Sequence, residues 1–551
     1  MVAAACGGSG DDSSATGESD GAAADASSSE SDDDAGTADA ADPDGSGGVL
    51  RIGMTAGNIP FPATPPNEGF EGRRFVGYQI YDALFRFNVE QGDSVPVPEP
   101  ALAESYTLSD DELTWTFTLR EDVTFHDGEP FDADAVIFNL DRVSDDTSEY
   151  FDADSYTANV NWFAQIAGYE KTGDYEITMT TTEPYAWLPY DLAFIYFASP
   201  LAVQTYGNED YLAHATGTGP FKVTNYVDGQ IMELEAFENY YRGRPKIDKI
   251  ELYPMPEPAT RLAALQAGDI DWAELPPPDA IDQLAGQGFQ VLLGEYPHVI
   301  TYQLNVQKPP FDDVRVRQAL NYAIDAEGTS ALINNVGYPA TQYLYEGHPW
   351  YDPSWDGYTY DPEKAKALLA EAGVEDLVLN VAYPTGGSGN MFPGPMNEKL
   401  QADMAAIGVE VNLMPMEWNN ILTGLRQGLQ HPDWADVDAL YISLAPLYPS
   451  GMRLYVTDFA PESAGFGTAS CCNAPGYSNP EVDALYYAAG AEFDPAASDD
   501  LLMQMQSLMM KDAPVIVTVH DLNLRVLAPE VKGFVQPQSW FADLTQVYIE
   551  E

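Results

Sequence analysis

Stretches in which apolar and polar residues alternate recur along the chain from about residue 47 onward. In the segment 112–120, Leu113, Trp115, Phe117 and Leu119 occupy every second position. This period of two places the four side chains on one face of a strand, where they can be buried together. The same pattern predicts further strands at 47–55, 175–181, 229–237, 246–254, 298–306, 377–384, 409–416 and 513–520.

Helical patterns lie between these strands. In the segment 361–373, Asp361 is placed to cap a helix, Pro362 suits its first turn and Gly373 suits its end. Corresponding patterns predict helices at 259–269, 313–325 and 479–490. Strands and helices that alternate over 551 residues indicate an α/β fold with more than one lobe.

The start of the chain differs from the rest in composition. Residues 7–48 consist almost wholly of Gly, Ala, Ser, Thr, Asp and Glu and contain no aromatic residue. Such a segment cannot bury enough apolar surface to offset the entropy lost on ordering it. We therefore expect residues 6–47 to form a disordered, acidic and flexible tether.

Cys6 stands in the stretch MVAAACGGSG, after small residues and before two glycines. The stretch resembles the lipobox of bacterial lipoproteins, in which the cysteine becomes the acylated first residue, and it predicts a lipid anchor. Residues 1–5 are then the remnant of a signal peptide, although Ala3 stands where a leucine is usual and the charged and apolar signal regions are missing. The alternative is an incidental cysteine in an unstructured terminus.

The chain is strongly acidic, with 24 Lys and Arg against 87 Asp and Glu and a formal net charge of −63. Proteins that bind nucleic acid or anionic lipid need a basic surface, so neither is an expected partner. We interpret the acidic residues as a well-solvated, salt-tolerant surface. No run of 18 apolar residues occurs, which argues against a membrane-spanning helix.

The segment FHDGEPFDADAV, residues 125–136, contains the residue types that bind metals and transfer protons. Asp127-Gly128 is also a turn dipeptide, and Asp132 and Asp134 suit the first turn of a helix, where the helix dipole favours acids. We therefore interpret the segment as a strand end, a turn and a helix start rather than as a reactive site.

Sequence signatures of catalysis and of metal binding are missing. The six histidines are far apart in the sequence and have no cysteine partners at metal-binding spacing. The glycine-rich stretch GGSGN, residues 386–390, lacks the last glycine of a nucleophile elbow, and no phosphate-binding loop occurs. We expect no enzymatic activity, no metal and no cofactor, and a secreted hydrolase is the alternative.

The stretch PALAESYTLSDDELTWTFTLREDVTFHDGEPFDADAVIFNLDRV resembles a signature of the family 5 extracellular solute-binding proteins. These are the oligopeptide-, dipeptide- and nickel-binding receptors of ABC importers. Matching segments occur in order at 100–143, 217–223, 259–275, 309–325, 360–373 and 477–490. The resemblance covers nearly the whole chain from about residue 48. It implies a two-lobed, periplasmic-binding-protein-like α/β fold (type II, cluster C) with a hinged ligand cleft.

The same resemblance implies how the lobes are built. The larger lobe I contains residues 48–297 and 515–551, and lobe II, residues 298–514, is inserted between them. Hinges are expected near 294–305 and 511–521. A ligand that touches both lobes favours the closed form, which the membrane permease subunits of an ABC importer then recognise. We expect a monomer on the extracellular face of the cell membrane. A sensor that presents its closed form to a membrane receptor is the alternative.

In peptide-binding relatives, an aspartate in a D-Y-P-D-P motif pairs with the α-amino group of the peptide. The matching stretch here, SLAPLYPSG, keeps Tyr448 and Pro449 and has Leu447 at the position of that aspartate. Burying an ammonium group without a charged partner weakens binding by an amount on the order of several kcal/mol. Oligosaccharides, blocked peptides and other polar solutes therefore compete with free peptides as ligands, and a nickel complex stays open.

Further candidate ligand-binding residues lie in loops after strands and in aromatic-rich loops, because tyrosine and tryptophan can both stack and form hydrogen bonds. With Leu447 and Tyr448, the candidates are Asn58, Ile59, Phe61, Tyr343, Tyr345, Trp350, Trp418, Asn419 and Trp540. For each aromatic residue, a place in the core is the alternative.

Cys471 and Cys472 are adjacent in the sequence. Oxidising conditions outside the cell favour a disulfide between them, and two free thiols are the alternative.

Overall fold

The computed structural model describes residues 47–444, 446–457 and 473–550. The predicted acylation site at Cys6, the predicted tether up to residue 46 and the predicted Cys471–Cys472 disulfide lie outside the described residues.

A seven-stranded mixed sheet forms the framework of the first half of the chain. Its first strand, Val49–Met54, pairs in parallel with Lys249–Pro254 on one side and with Trp272–Glu274 on the other. The C-terminal strand Arg525–Leu527 pairs with Trp272–Glu274 and so returns the end of the chain to this sheet. In spatial order the strands are Gln290–Leu292, Arg525–Leu527, Trp272–Glu274, Val49–Met54, Lys249–Pro254, Ile231–Ala236 and Phe221–Val227.

A five-stranded sheet forms the framework of the second half. In spatial order its strands are Glu410–Met416, Val378–Pro384, Ala439–Leu444, Val299–Leu304 and Val515–Val517. The single strand expected at 513–520 is two strands, because the chain changes partners there: Val515–Val517 pairs with Val299–Leu304, whereas Val519–Asp521 pairs with Gly337–Pro339.

Smaller sheets complete the α/β architecture. A four-stranded antiparallel sheet contains, in spatial order, Ala103–Leu108, Thr114–Leu119, Glu176–Thr181 and Ile166–Gly173. Two further two-stranded antiparallel sheets pair Phe85–Phe87 with Pro98–Pro100 and Val531–Lys532 with Tyr548–Ile549. The alternating residues Trp115 and Phe117 are buried, which confirms the one-sided strand expected there.

Helices form where the sequence pattern predicts them. Asp361 accepts a hydrogen bond from the Lys364 amide at 2.9 Å, and Gly373 ends that helix with φ 70°. The α-helices are Gly69–Gly72, Tyr78–Ile80, Ala133–Ser144, Ala153–Asn159, Leu188–Leu192, Pro200–Tyr211, Pro258–Ala267, Ile281–Gly286, Val314–Tyr322, Ala326–Leu332, Pro362–Ala372, Pro393–Ala406, Trp418–Gln427, Pro480–Gly490 and Pro495–Asp512. A π-helical turn spans Arg73–Gly77, and 3₁₀ turns span Val160–Trp162, Leu212–His214, Pro278–Ala280, Pro432–Trp434 and Pro449–Tyr455.

Apolar side chains from both halves form the core. Leu50 and Leu252 are fully buried on the seven-stranded sheet, and Leu379 is fully buried on the five-stranded sheet. No helix among the described residues combines the length and the apolar composition needed to cross a membrane.

The carboxyl group of Asp82 is buried beside the hydroxyls of Thr218 and Tyr240, each 3.4 Å away. Desolvation is the largest cause that raises its pKa to about 7. The ordinary pKa of aspartate, about 4, applies in the unfolded chain, so the native state binds the extra proton between these two values.

We therefore expect the contribution of Asp82 to stability to rise as the pH falls from about 7 towards about 4, at up to about 1.4 kcal/mol per pH unit. Urea unfolding of the wild type and of Asp82→Asn at a series of pH values measures this contribution. The wild type should gain stability relative to the variant over this range. An unchanged difference between the two proteins across the range would contradict the expectation.

Candidate functional site

The segment FHDGEPFDADAV forms a turn and a helix start. Gly128 has φ 91°, which glycine adopts without strain, and its amide donates to the carbonyl of Phe125 at 2.9 Å. Asp132 accepts a hydrogen bond from the Ala135 amide at 2.9 Å and caps the helix that begins at the next residue. The structural interpretation of this segment is confirmed.

His126 packs into the same framework. Its ring centroid lies 4.9 Å from that of Phe237, and Nε2 lies 2.9 Å from the carbonyl oxygen of Gly219. Burial lowers the pKa of His126 to about 4, so the ring is neutral at pH 7. The neighbouring Asp127 accepts a hydrogen bond from the Ser199 hydroxyl at 2.5 Å. Both side chains thus hold local structure together.

Trp418 and Asn419 reach from the second half of the chain to the first. Asn419 Nδ2 donates to Oε1 of Glu68 at 3.4 Å. The Trp418 indole lies beside Gly69, since a β-carbon built on that glycine would be in ordinary van der Waals contact with its Cζ2 atom at 3.7 Å. These contacts lie at the boundary between the segments attached to the two large sheets. We call this boundary the seam, and Glu68, Gly69, Trp418 and Asn419 form part of it.

Trp540 extends the seam at the loop 386–390. Gly389 has φ 70°, and the Trp540 indole occupies the space that a β-carbon at Gly389 would need. In the same way, the Trp418 indole covers Gly387. The backbone amide of Glu71 also donates to the Ser388 hydroxyl at 3.1 Å. The GGSGN stretch therefore forms a close contact across the seam.

A buried ion network supports the first side of the seam. Glu274 receives Nη2 of Arg74 at 2.7 Å, Nε of Arg525 at 3.2 Å and the Trp272 indole N–H at 2.7 Å. The guanidinium group of Arg74 also lies 4.9 Å from the Trp540 ring centroid. The network ties the chain around residue 74 to two strands of the seven-stranded sheet and holds Trp540 against the seam.

Leu447 and Trp350 line a cavity of about 340 Å³ at the seam. Residues from the first half form its other wall, and among them are Trp187 and Tyr190. The Trp350 indole N–H donates to Asp499 at 2.7 Å, which orients the ring in this wall. Ligand sites commonly have volumes of about 300–1,000 Å³ and mostly apolar walls.

Tyr448 packs against Trp162 and Phe194, and we call these three residues the aromatic cluster. Its ring centroid lies 4.8 Å from that of Phe194 and 5.5 Å from that of Trp162, and the latter two rings stack at 4.3 Å. The Arg453 guanidinium lies 4.3 Å from the Trp162 centroid, and that of Arg73 lies 5.4 Å from the Phe194 centroid. The seam therefore places two cations on aromatic rings.

The other candidate tyrosines have different surroundings. Tyr343 is buried in the core, with its ring edge-on to Tyr455 at 5.3 Å. The Tyr345 hydroxyl donates to Gln538 at 3.3 Å, which joins the loop before Trp350 to the C-terminal segment. Tyr343 thus has the core position that was its alternative, whereas Tyr345 contacts the C-terminal segment, which returns to the seven-stranded sheet.

Asn58, Ile59 and Phe61 make their contacts on the side of the seven-stranded sheet. Asn58 Nδ2 donates to Asp228 at 3.0 Å, Ile59 is fully buried, and Phe61 is 37% exposed. The structure brings Trp350 and Leu447 together at the cavity, and Trp418 and Trp540 at the loop 386–390. It does not bring these three N-terminal residues into either group.

Burial raises the pKa of two carboxyl groups at the seam. Desolvation raises the pKa of Asp191 to about 6, while the Ser450 hydroxyl at 2.6 Å and the Tyr185 hydroxyl at 2.7 Å donate to it. Desolvation also raises the pKa of Glu68, and the nearby carboxylates of Glu417 and Glu71 add to this effect.

Sequence reasoning missed Glu68, Arg73, Arg453 and the loop 386–390. One signal was present, because Arg73 and Arg74 are adjacent in a chain with only 24 basic residues. A second signal was the density of glycine in GGSGN, which suits close approach of another segment. Within the described parts of the chain, no group of three or more His, Cys, Asp or Glu residues is arranged to hold a metal ion.

Comparisons with known proteins agree on the family. A model described as "Bacterial extracellular solute-binding proteins, family 5 Middle" matches residues 97–465. The heme-binding protein A of Haemophilus influenzae is 31% identical over 83% of this chain and 84% of its own length. The dipeptide-binding protein of Escherichia coli is 30% identical over 85% of this chain and 90% of its own.

A solved structure supports the fold. The periplasmic binding protein DppA of Helicobacter pylori, in complex with the peptide STSA, superposes with a TM-score of 0.78 at 24% identity. The match covers 92% of this chain and 99% of that one. Together with the two large sheets, it establishes the expected two-lobed α/β fold of the type II periplasmic binding proteins.

Proposed function

Because this chain belongs to the bacterial extracellular solute-binding proteins of family 5, we propose that it is the receptor of an ABC importer. It captures a peptide or another polar organic solute between two lobes and delivers it to membrane permease subunits. The observation that supports this most directly is the cavity of about 340 Å³, whose walls come from both halves of the chain. A solute held there contacts both halves at once.

The two large sheets support the proposed lobes. Lobe I contains residues 48–297 with the C-terminal segment, and lobe II is inserted between them. Since Val515–Val517 pairs with Val299–Leu304 in the five-stranded sheet, we place the second crossing after residue 517 rather than at 515. His298 Nδ1 lies 2.5 Å from Oδ2 of Asp521, so a polar contact joins the two proposed hinge segments.

The physical basis of capture is a shift in population. A solute that touches both lobes gains its full set of contacts only when they are closed, so binding favours that form. Moving such an equilibrium from 1:99 to 99:1 takes about 5.5 kcal/mol of preferential binding to the closed form. The closed form is then the species that the permease recognises.

Native mass spectrometry of the protein purified from its own host identifies a co-purified solute. Small-angle scattering with and without that solute measures closure, and uptake by cells that lack the gene measures transport. We expect a smaller radius of gyration with the solute and loss of its uptake in the deletion strain. Normal uptake combined with a lost behavioural response would replace the importer by a sensor.

The anchor is a separate part of the proposal. Acylation of Cys6 keeps the receptor at the outer face of the membrane and near its permease. Cells that express Cys6→Ala should release the protein into the soluble fraction, and a lipid mass on the N-terminal peptide of the wild type should disappear. Equal membrane association of both proteins would remove the anchor from the proposal. We also propose that the receptor acts as a monomer.

Leu447 leads to a prediction about the ligand amine. Its side chain is apolar and buried, so the position supplies no carboxylate for an ammonium group. We expect acetylation of the amine of Ala-Phe to change its dissociation constant by less than about threefold, since a paired buried charge is worth far more than that. Calorimetric titration of both peptides measures the ratio.

Glu68 provides the control, because it is the carboxyl group that Asn419 contacts at the seam. A loss of more than about tenfold on acetylation, corresponding to about 1.4 kcal/mol, would contradict the interpretation of Leu447. If Glu68→Gln then removed the difference between the two peptides, Glu68 would be the residue that binds the ammonium group.

A further inference from the structure

Arg73 begins the π-helical turn Arg73–Gly77. Turns of this kind are rare and are found frequently at functional sites. The Arg73 guanidinium lies 5.4 Å from the ring centroid of Phe194 and 5.9 Å from that of Trp162. The residue thus projects from lobe I onto the aromatic cluster, to which lobe II contributes Tyr448.

The charge of Arg73 is not balanced by a nearby acid. No carboxylate of the described residues lies within 4.0 Å of its guanidinium, and Nη1 is fully buried without a hydrogen-bond partner among them. The next residue provides the contrast, since Arg74 pairs with Glu274 at 2.7 Å. Of these two adjacent arginines, Arg74 therefore has a carboxylate partner among the described residues and Arg73 does not.

The surrounding charges make the place more positive. Burial is the largest cause that lowers the pKa of Arg73, and the guanidinium groups of Arg426 and Arg453 lower it further, whereas the phenols of Tyr196 and Tyr448 oppose this effect. Arg453 lies on the opposite side of the seam, donates to the Ser450 carbonyl at 3.2 Å and has Asp191 in its surroundings. Asp191 itself is already held by the hydroxyls of Ser450 and Tyr185.

A guanidinium group stays charged in a protein, so burial cannot be relieved by loss of its proton. The Arg73 side chain is half-buried. Holding its charge partly out of water without an acid among the described residues is unfavourable, and an anion that enters the site recovers part of that cost. The planar fork of arginine matches a carboxylate through two parallel N–H···O bonds. The aromatic rings beside the fork suit an apolar group next to that carboxylate.

We propose that Arg73 and Arg453 form a carboxylate-binding subsite at the seam, so that the captured solute carries a carboxylate beside an apolar or aromatic group. This inference rests on the proposed capture of a solute between the lobes. It narrows the solute class to organic acids, including peptides with a free C-terminus. In a chain with a net charge of −63, the subsite is a local exception to the overall repulsion of anions.

A matched pair of probes tests the subsite. Acetyl-Ala-Phe has a free carboxylate, whereas acetyl-Ala-Phe-amide differs only in replacing it with a neutral carboxamide. We expect the wild type to bind the acid at least tenfold more tightly than the amide in calorimetric or NMR titrations. Arg73→Met should reduce this ratio to about one, because methionine keeps the side-chain length and removes the charge and the N–H donors.

Two further variants separate binding from folding. Arg120→Met is the matched control, because Arg120 also lies over an aromatic ring, that of Tyr241. Unlike Arg73, Arg120 forms a salt bridge with the exposed Asp122. Arg120→Met should keep the wild-type ratio. Arg73→Lys keeps the charge without the planar fork, so it should still prefer the acid but bind it with lower affinity. This variant tests the subsite if Arg73→Met is unstable.

Several results would overturn the proposal. These are equal or weaker binding of the acid by the wild type, no binding of either probe at millimolar concentration, and an unchanged preference in Arg73→Met. A neutral solute that co-purifies with the protein and closes the lobes would also reject the carboxylate subsite. That last result would leave the importer proposal intact, whereas a protein that closes on no solute would reject the importer itself.

Discussion

Replacing Glu274 by glutamine is expected to lower the free energy of unfolding by about 3–5 kcal/mol, the usual cost of removing one partner from a buried charge pair. Glu274 is buried and accepts from Arg74 at 2.7 Å, Arg525 at 3.2 Å and the Trp272 indole at 2.7 Å. The glutamine side chain has a similar shape but no charge. Both buried guanidinium groups then lose the charge of their shared partner, and Arg74 keeps only the longer contact to Glu71 at 3.8 Å among the described acids.

Desolvation opposes the charges throughout this network. It raises the pKa of Glu71 and lowers that of Arg525 to about 10, so the charged form of each group depends on its partner in the network. Urea unfolding at pH 7 measures the loss for Glu274→Gln. The exposed pair between Lys366 and Glu363 at 2.9 Å is the matched control, and Glu363→Gln should cost less than about 0.5 kcal/mol. A loss below about 1 kcal/mol for Glu274→Gln would show that the network contributes little to stability.

A β-carbon at Gly389 is expected to weaken solute binding by about tenfold to a hundredfold. Gly389 faces the Trp540 indole across the seam, and the same β-carbon would lie 3.0 Å from the Ser443 hydroxyl oxygen. Overpacking of this kind costs about 1–3 kcal/mol, and about 1.4 kcal/mol corresponds to tenfold in a dissociation constant. Because Trp540 and Gly389 belong to different proposed lobes, the clash acts mainly on the closed form.

Gly373 supplies the control for backbone strain. It also has φ 70°, but a β-carbon there meets no atom within 4 Å. Gly373→Ala should therefore carry the cost of a left-handed alanine, about 1–2 kcal/mol of stability, and keep the wild-type affinity. The affinity of Gly389→Ala and Gly373→Ala for the co-purified solute, with scattering to follow closure, separates the two effects. Equal affinities of the two variants would mean that the Trp540 contact does not control closure.

Both predictions concern contacts that join segments far apart in the chain. Arg74 and Glu274 are 200 positions apart, and the loop 386–390 meets Trp540 because the C-terminal segment returns to the seven-stranded sheet. The stability network and the closing contact also share Trp540, since its ring lies 4.9 Å from the Arg74 guanidinium. A variant that loosens the network is thus expected to affect closure as well.

Local chemistry explains why so many elements were predicted from the sequence. The helix Pro362–Ala372 depends on a cap at Asp361 and a left-handed Gly373, and all of these lie within one short segment. The strand Thr114–Leu119 depends on alternation among six consecutive residues. The FHDGEP turn likewise depends on its own Asp-Gly pair and on the cap at Asp132.

The candidate site was harder to predict because the same residue type can serve two purposes. Tyr343 and Trp350 belong to one aromatic-rich loop, yet Tyr343 packs in the core and Trp350 lines the cavity. Asn58 follows the first strand, as ligand-binding loops often do, but its amide is used by Asp228. Burial and partner choice depend on the whole fold, and no pattern within a loop encodes them.

The sequence by itself determined the family, the α/β class, the places of the main strands and helices, and the structural role of FHDGEP. These follow from periodicity, caps and motifs, whose physical causes act over a few neighbouring residues. Only the tertiary structure decided that Arg74 has a carboxylate partner, while Arg73, the residue before it, faces an aromatic cluster and has no such partner among the described residues. The reason is that burial and charge pairing depend on groups that folding brings together from distant parts of the chain.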